Sequence, residues 1–155
     1  KKILNFKGIK KRFDIVAKSQ ECVVVDDYGH HPTEIKATLG SAKEYARLKG
    51  LKKITAIWQP HKFSRTLDNL EEFITCFDGC DELIILPVWA AGESFVDINF
   101  KEHFKAYNLT LATKIKKKDG VVSIKNDGVV SKTINSGLII GFGAGDLTYQ
   151  IRGAK

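Results

Sequence analysis

Hydrophobic positions along this chain alternate between two periods. Cys22 to Val25 is a compact, β-branched run closed by Asp26-Asp27, and it predicts a buried strand. After the loop Tyr28-Gly29-His30-His31-Pro32, apolar residues return at helical spacing as Ile35, Leu39, Ala42, Ala46 and Leu48. They predict a helix capped by Thr33, with Pro32 just ahead of the cap, running to about Lys49 and stopped by Gly50. The unit then repeats. Ile54 to Trp58 reads as a strand, Gln59 to Thr66 as a polar loop, and Leu67 to Phe77 as a helix with Leu70, Phe73, Ile74 and Phe77 on one face. A third strand at Glu82 to Leu86 leads through Pro87 to Ser94 into a helix near Phe100 to Tyr107. The last third is β-rich, from Leu109 to Ile124 and around Gly128, and ends in an apolar strand, Leu138 to Phe142. Gly143-Ala144-Gly145-Asp146 then leads into Leu147 to Ile151. Alternating strand, loop and helix predicts an α/β fold, a Rossmann-like three-layer sandwich with a mostly parallel sheet. The C-terminal third is expected to supply an antiparallel or edge strand.

Composition narrows this picture. With 155 residues, 43% of them hydrophobic, the chain can form one core. Residues 1–11, rich in lysine, read as a linker, and 12–155 as the domain. No run approaches the roughly 18 apolar residues of a membrane span, and no apolar leader precedes the domain. A soluble, cytoplasmic chain without a membrane partner is therefore expected. Cys22, Cys76 and Cys80 form no CxxC pair, so reduced, mostly buried thiols are expected, with neither a disulfide framework nor a zinc site. The net charge of +7 suits an anionic partner, but its distribution decides which. Lys114 to Lys118, followed by Asp119-Gly120, reads as a strand edge and turn kept soluble by charge. No aromatic platform accompanies it, and no nucleic-acid partner is expected.

In open α/β sheets, ligands bind beyond the carboxyl ends of the strands. The chemically rich loops all fall there. Asp26 to Glu34 gathers carboxylates, two imidazoles and a phenol, a set able to meet a metal, a ribose diol or a substrate carboxylate, although adjacent histidines rarely chelate one ion together. Gln59 to Thr66 contributes Lys62 and Arg65, and arginine grips a carboxylate or phosphate at two points. Gly143 to Gly145 could cradle phosphate, though a tight strand-to-helix turn explains it more simply. Two polar loops converging on one crevice favour an anionic small ligand.

These same residues carry a resemblance to a known family. The run Asp26-Asp27-Tyr28-Gly29-His30-His31-Pro32-Thr33-Glu34 is similar to the signature of the UDP-N-acetylmuramate:L-alanine ligases, within the Mur ligase family. Gln59-Pro60-His61-Lys62-Phe63-Ser64-Arg65-Thr66 resembles their second motif. Arg12-Phe13-Asp14 looks like the segment that opens the C-terminal domain of Mur ligases, and Ala90-Ala91-Gly92-Glu93 and Gly143 to Asp146 also fit. The resemblance implies an ATP-dependent amide ligase of peptidoglycan synthesis. Such an enzyme phosphorylates the UDP-N-acetylmuramate carboxylate, and the L-alanine amine attacks the acyl phosphate. By position, Arg12 would meet ATP phosphate and Asp27 the nucleotide ribose. Tyr28, His30, His61, Lys62 and Arg65 would form the amino-acid pocket, with Arg12 and His30 catalytic. Mg2+ would be bound mainly by the central domain.

Two features depart from the family pattern. Lys62 stands where arginine is more usual, and the stretch from Leu109 to Gly137 is shorter and less helical than the family suggests. The sequence holds no G-x-x-x-x-G-K-[ST] phosphate loop, which the resemblance places in a central domain of the same polypeptide. This stretch alone is therefore expected not to ligate. Three alternatives stand beside the alanine reading: a Mur-type ligase that recycles an intact tripeptide, a non-catalytic nucleotide- or anion-binding module, and a nucleic-acid-binding protein resting on charge alone.

Overall fold

A computed structural model describes residues 12–153, and the expected linker at 1–11 lies outside them. Six strands form the main sheet: β1 (Asp14–Lys18), β2 (Cys22–Asp27), β3 (Ile54–Trp58), β4 (Glu82–Ile85), β5 (Leu109–Leu111) and β9 (Gly137–Phe142), in the spatial order β1-β2-β9-β3-β4-β5. All neighbours are parallel except β1 and β2. A second, antiparallel sheet consists of β6 (Lys114–Lys118), β7 (Val121–Asn126) and β8 (Val129–Ile134). The fold is thus the expected Rossmann-like α/β sandwich, and the C-terminal third supplies the expected edge strand, β5. The antiparallel strand β1 comes from the N-terminal side, and most of the C-terminal third builds a sheet of its own.

Both hairpins of that small sheet turn on Asp-Gly pairs at positive φ, Asp119 (53°) with Gly120 (77°) and Asp127 (51°) with Gly128 (84°). Positive φ at both central residues matches the right-handed twist of the paired strands.

Strand alternation distributes the core. Val23, Val25, Leu138, Ile140, Leu83 and Ile85 face one layer, where α1 (Pro32–Lys49) and α3 (Leu70–Cys76) pack through Ile35, Leu39, Phe73 and Phe77. Val24, Ile139, Ile84 and Ile57 face the other, where α5 (Leu147–Arg152) and the small sheet bring Leu147, Ile151, Ile115, Val122 and Ile124. The helix α4 (Phe100–His103) ends one turn before the expected Tyr107. Across the layers, the buried Glu82 carboxylate pairs with Lys53 and with Lys132 of β8, pinning the small sheet to the large one. Burial pushes this carboxyl up, and the two ammonium groups outweigh it and hold it below the usual range. All three thiols are free, and burial raises Cys76 and lifts Cys80 to about 12, so neither is poised as a nucleophile. Among the described residues, no helix is long and apolar enough to cross a membrane.

Two helix starts differ from expectation. Pro32 is the first residue of α1 and His31 its cap, because Glu34 Oε1 accepts from the His30 and His31 amides (3.1 and 3.2 Å) and closes the turn from inside. Residues Phe63–Asp68 form a separate short helix, α2, which a break at Asn69 divides from α3.

The central strand β9 enters through Gly137, at φ 86°, where an added Cβ would lie 2.5 Å from the Lys53 carbonyl oxygen. Gly137→Ala is expected to cost about 2–3 kcal/mol, seen as a lower denaturant midpoint at unchanged slope. Gly40→Ala, on the exposed face of α1 with open space around it, is expected to raise stability by roughly 0.5–1 kcal/mol in the same assay.

Candidate functional site

The loops following β2 and β3 leave the sheet on either side of β9, two strand spacings apart, or about 10 Å. They meet nonetheless: the rings of His30 and His61 lie 5.7 Å apart at their centroids. Tyr28, half exposed, packs edge-on against His30 at 5.7 Å, and the His31 ring lies 5.0 Å from that of His30.

The partners of the two imidazoles assign opposite tautomers. Arg65 Nη1 lies 2.9 Å from His61 Nδ1, and because guanidinium only donates, that nitrogen must accept and the proton sits on Nε2. In His30, Nδ1 faces the Tyr28 carbonyl oxygen at 3.3 Å and donates to it, so in the neutral ring Nε2 is the acceptor. Burial first, then the charges of Arg65, His30 and Lys62, hold His61 below the ordinary histidine range, against a smaller pull from Glu93. The result is a neutral imidazole that fixes a guanidinium beside it.

Lys62 holds a left-handed backbone, φ 74° and ψ 133°, as the residue before α2. Its amide donates to the Trp89 carbonyl (2.8 Å), and its carbonyl accepts from the Thr66 hydroxyl (2.8 Å), so neighbours on both sides impose the strain. Glu93, expected only as a family-like residue, occupies the start of α2: Oε1 accepts from the Ser64 amide at 3.1 Å and Oε2 from its hydroxyl. These hydrogen bonds hold the exposed Glu93 carboxyl below its usual range. Ala90 to Glu93 is a tight turn with positive φ at Ala91 and Gly92, and it brings Glu93 back to the helix.

Asp27, which the resemblance sets at the nucleotide ribose, is held from inside the fold. Fully buried, it takes the Gly29 amide on Oδ1 (2.7 Å) and the Phe13 amide on Oδ2 (2.8 Å). Burial raises its pKa and these bonds oppose the rise. The carboxylate thus ties the chain before β1 to the first loop. Arg12 lies nearby, exposed, with Nη2 3.1 Å from Glu34 Oε2. Asp26 is likewise internal, bonded by the Thr148 hydroxyl and by Arg152 Nε (2.8 Å).

The glycine loop is packed rather than open. Gln59, 5% exposed, accepts from the Leu147 amide (3.0 Å) and donates to Asp146 Oδ1 (2.7 Å), which joins the second loop to the start of α5. A Cβ on Gly145 would lie 2.6 Å from both Gln59 Oε1 and Trp89. The tight-turn reading therefore holds for Gly143 to Asp146. Gln59, Glu93 and Trp89 are contributors that sequence reasoning did not single out. Gln59 and Glu93 stood within quoted motifs, but nothing in their spacing indicated a partner. Among the described residues, no group of three or more His, Cys, Asp or Glu side chains is placed to hold a metal ion.

Comparison with known proteins places this site in a family. The family described as Mur ligase, glutamate ligase domain matches residues 11–124, most of the chain. The chain belongs to the Mur ligase family. It is 57% identical over 154 residues to the UDP-N-acetylmuramate–L-alanine ligase of Helicobacter pylori, covering 97% of this chain and 34% of that protein. This Mur ligase domain thus spans about a third of the length of such relatives. Its fold matches the crystal structure of a UDP-N-acetylmuramate-alanine ligase from Thermotoga maritima with a TM-score of 0.63, at 23% identity over 92% of this chain and 28% of that one. A murein peptide ligase from Psychrobacter arcticus shares the fold at a TM-score of 0.55 and 17% identity, over 96% of this chain and 31% of its own.

Because the folded pKa of His61 lies below its unfolded value of about 6.5, the stability gained from the neutral ring is present above that pH and lost as pH falls through the folded pKa. An NMR titration is expected to place the His61 midpoint below about 6.5, and Arg65→Ala to move it upward. A midpoint at or above the ordinary value would contradict the assigned hydrogen bond.

Proposed function

We propose that this Mur ligase domain is the C-terminal domain of an ATP-dependent ligase joining L-alanine to UDP-N-acetylmuramate in the cytoplasmic synthesis of peptidoglycan precursors, with residues 1–11 as its linker. The meeting of the two loops at His30 and His61, in a chain 57% identical to a ligase of that name, is the observation that supports it most.

In this reading Arg65, fixed by His61, takes the alanine carboxylate, and Lys62 adds a point charge beside it. Tyr28 and His30 wall the amine side. His30 Nε2 is the free acceptor there, suited to taking a proton from the ammonium group so that the amine can attack. A methyl side chain needs no deep apolar slot, and none is required of this surface.

ATP supplies the phosphoryl group that activates the UDP-N-acetylmuramate carboxylate. Arg12 suits its phosphates, because an exposed pair with Glu34 is worth only about 0–1 kcal/mol and exchanges readily for a phosphate. Asp27 is proposed at the nucleotide ribose: each of its oxygens holds one backbone amide and keeps a second acceptor site, and the same two bonds position Arg12 and the first loop. Gly143 to Gly145 is filled by Gln59 and Trp89 and is not offered as a phosphate cradle. Mg2+ is assigned to the central domain, together with the phosphate loop.

The test joins this domain to the N-terminal and central domains of the Helicobacter pylori relative and follows ADP release. Release dependent on L-alanine is expected, and Arg65→Ala should raise KM for alanine by about tenfold or more, since a charge-assisted hydrogen bond contributes roughly 1.5–3 kcal/mol. KM for ATP should change far less. The domain alone should release none. Preference for a tripeptide over alanine, or alanine-dependent release by the domain alone, would overturn the reading.

A further inference from the structure

A groove of about 340 Å3 lies on the far side of the sheet from α1, between the small sheet and α5. Its walls carry Lys114, Lys116, Lys117 and Lys125, and Asp146 and Gln150 also line it. Lys114 stands directly opposite Lys125 in the β6–β7 register. Like charges in that position destabilise a sheet, so the pairing calls for an explanation outside folding.

Local neutralisation does not provide one. Among the described residues, Lys53, Lys105 and Lys132 each pair with a glutamate, whereas none of the four groove lysines has an ion-pair partner. Asp146 also lines the groove, but its Oδ1 accepts from Gln59 Nε2 and Gln150 Nε2, and among the described residues no ion pair joins it to any of the four lysines. Lys117 has a local role, because its ammonium group lies beside Gly153 at the carboxyl end of α5, where a cation is favoured. Lys114, Lys116 and Lys125 have none.

Protection of a sheet edge is the other structural explanation, and it fits the lysines of β6, an edge strand of the small sheet, but not Lys125 on the central strand β7. The edge of β6 is already engaged by α5, since the Ile115 amide donates to Gln150 Oε1 (2.9 Å). On the opposite edge strand, β8, Val129 and Val130 are exposed, and Lys132 is drawn to Glu82.

We propose that this groove is a binding site for a phosphate-bearing small anion of diphosphate size, centred on Lys114, Lys116 and Lys125. Lysine ammonium groups act as mobile point charges that suit the tetrahedral oxygens of phosphate better than the planar fork of a carboxylate, which arginine matches. The volume lies at the lower end of small-ligand sites. Through Asp146 the groove touches the Gln59 link, so an anion bound there adjoins the loop that closes the strand-end site.

Titration calorimetry with inorganic pyrophosphate tests this on three proteins: the chain itself, Lys114→Ala/Lys125→Ala, and Arg65→Ala. Saturable one-to-one binding is expected, weakened about tenfold or more in the double variant and within about twofold of the parent in Arg65→Ala. Removing a like-charge pair should leave thermal stability equal or higher, so weakened binding cannot be confused with unfolding, and Lys125→Gln provides a milder check. Absence of saturable binding, equal binding of sulfate, unchanged affinity in the double variant, or loss in Arg65→Ala would overturn the proposal. None of these outcomes bears on the L-alanine reading, which the joined enzyme tests separately.

Discussion

The insertion of β9 between β2 and β3 is the constraint on which the rest of the structure depends. This strand comes last in the sheet's chain order yet lies at its centre, so the two loops that carry the polar chemistry are separated by the end of a strand formed from distant sequence. For His30 to reach His61, whatever follows β9 must stay low. Gly143 and Gly145 meet that need. A Cβ on Gly143 would lie 3.2 Å from the Gln59 carbonyl, and one on Gly145 would collide with the Gln59 amide and Trp89. Glycine here serves the approach of backbones to one another, a different use from the phosphate cradle that the same spacing suggests.

Buried polar side chains then hold the loops in place. Asp27 ties the first loop to the chain before β1, Gln59 ties the second to α5, and Asp26 anchors α5 and Arg152 to β2. Each is satisfied by several partners, as a buried polar group must be if it is not to cost stability. The proposed site residues outside these internal bonds are the more exposed ones: Arg12, Tyr28, His30, Lys62 and Arg65. A division between internal braces and surface reagents runs through both motifs, and adjacent residues such as Asp27 and Tyr28 fall on opposite sides of it.

That division is the part the sequence could not convey. The strands β2, β3, β4 and β9 were legible because each is buried on both faces and reads as a continuous apolar run, and α1 because its length repeats the helical period several times. The loops were legible by chemistry and position. By contrast, β1 is only half buried and bulged between Ile15 and Ala17, so nothing in Asp14 to Lys18 alone identifies it as a partner for β2. The start of α2 at Phe63 depends on Glu93, which lies far along the chain, and the start of α1 depends on Glu34 rather than on Thr33. The Asp-Gly turns were visible, yet whether β6 to β8 extend the main sheet or stand apart is decided by Ile115, Val122 and Ile124 packing against α5 and the sheet face. Long-range partners, not local propensity, made these choices.

The strained residue in the second loop shows how such partners bear on chemistry. A side chain at φ 74° costs of order 1–3 kcal/mol and persists only where its surroundings impose it. Around Lys62, Trp89 holds the amide, Thr66 holds the carbonyl, and Glu93 fixes the first turn of α2 through Ser64. Three residues later on the same short helix, Arg65 reaches back to His61. The strain at Lys62 thus reverses the chain sharply enough for one helical turn to present a lysine, a neutral imidazole and a guanidinium together. With lysine at this position the bidentate fork is lost there, and the imidazole-fixed Arg65 becomes the group able to grip a carboxylate at two points. In the proposed L-alanine site, geometry imposed at Lys62 would thus place recognition of the carboxylate on Arg65.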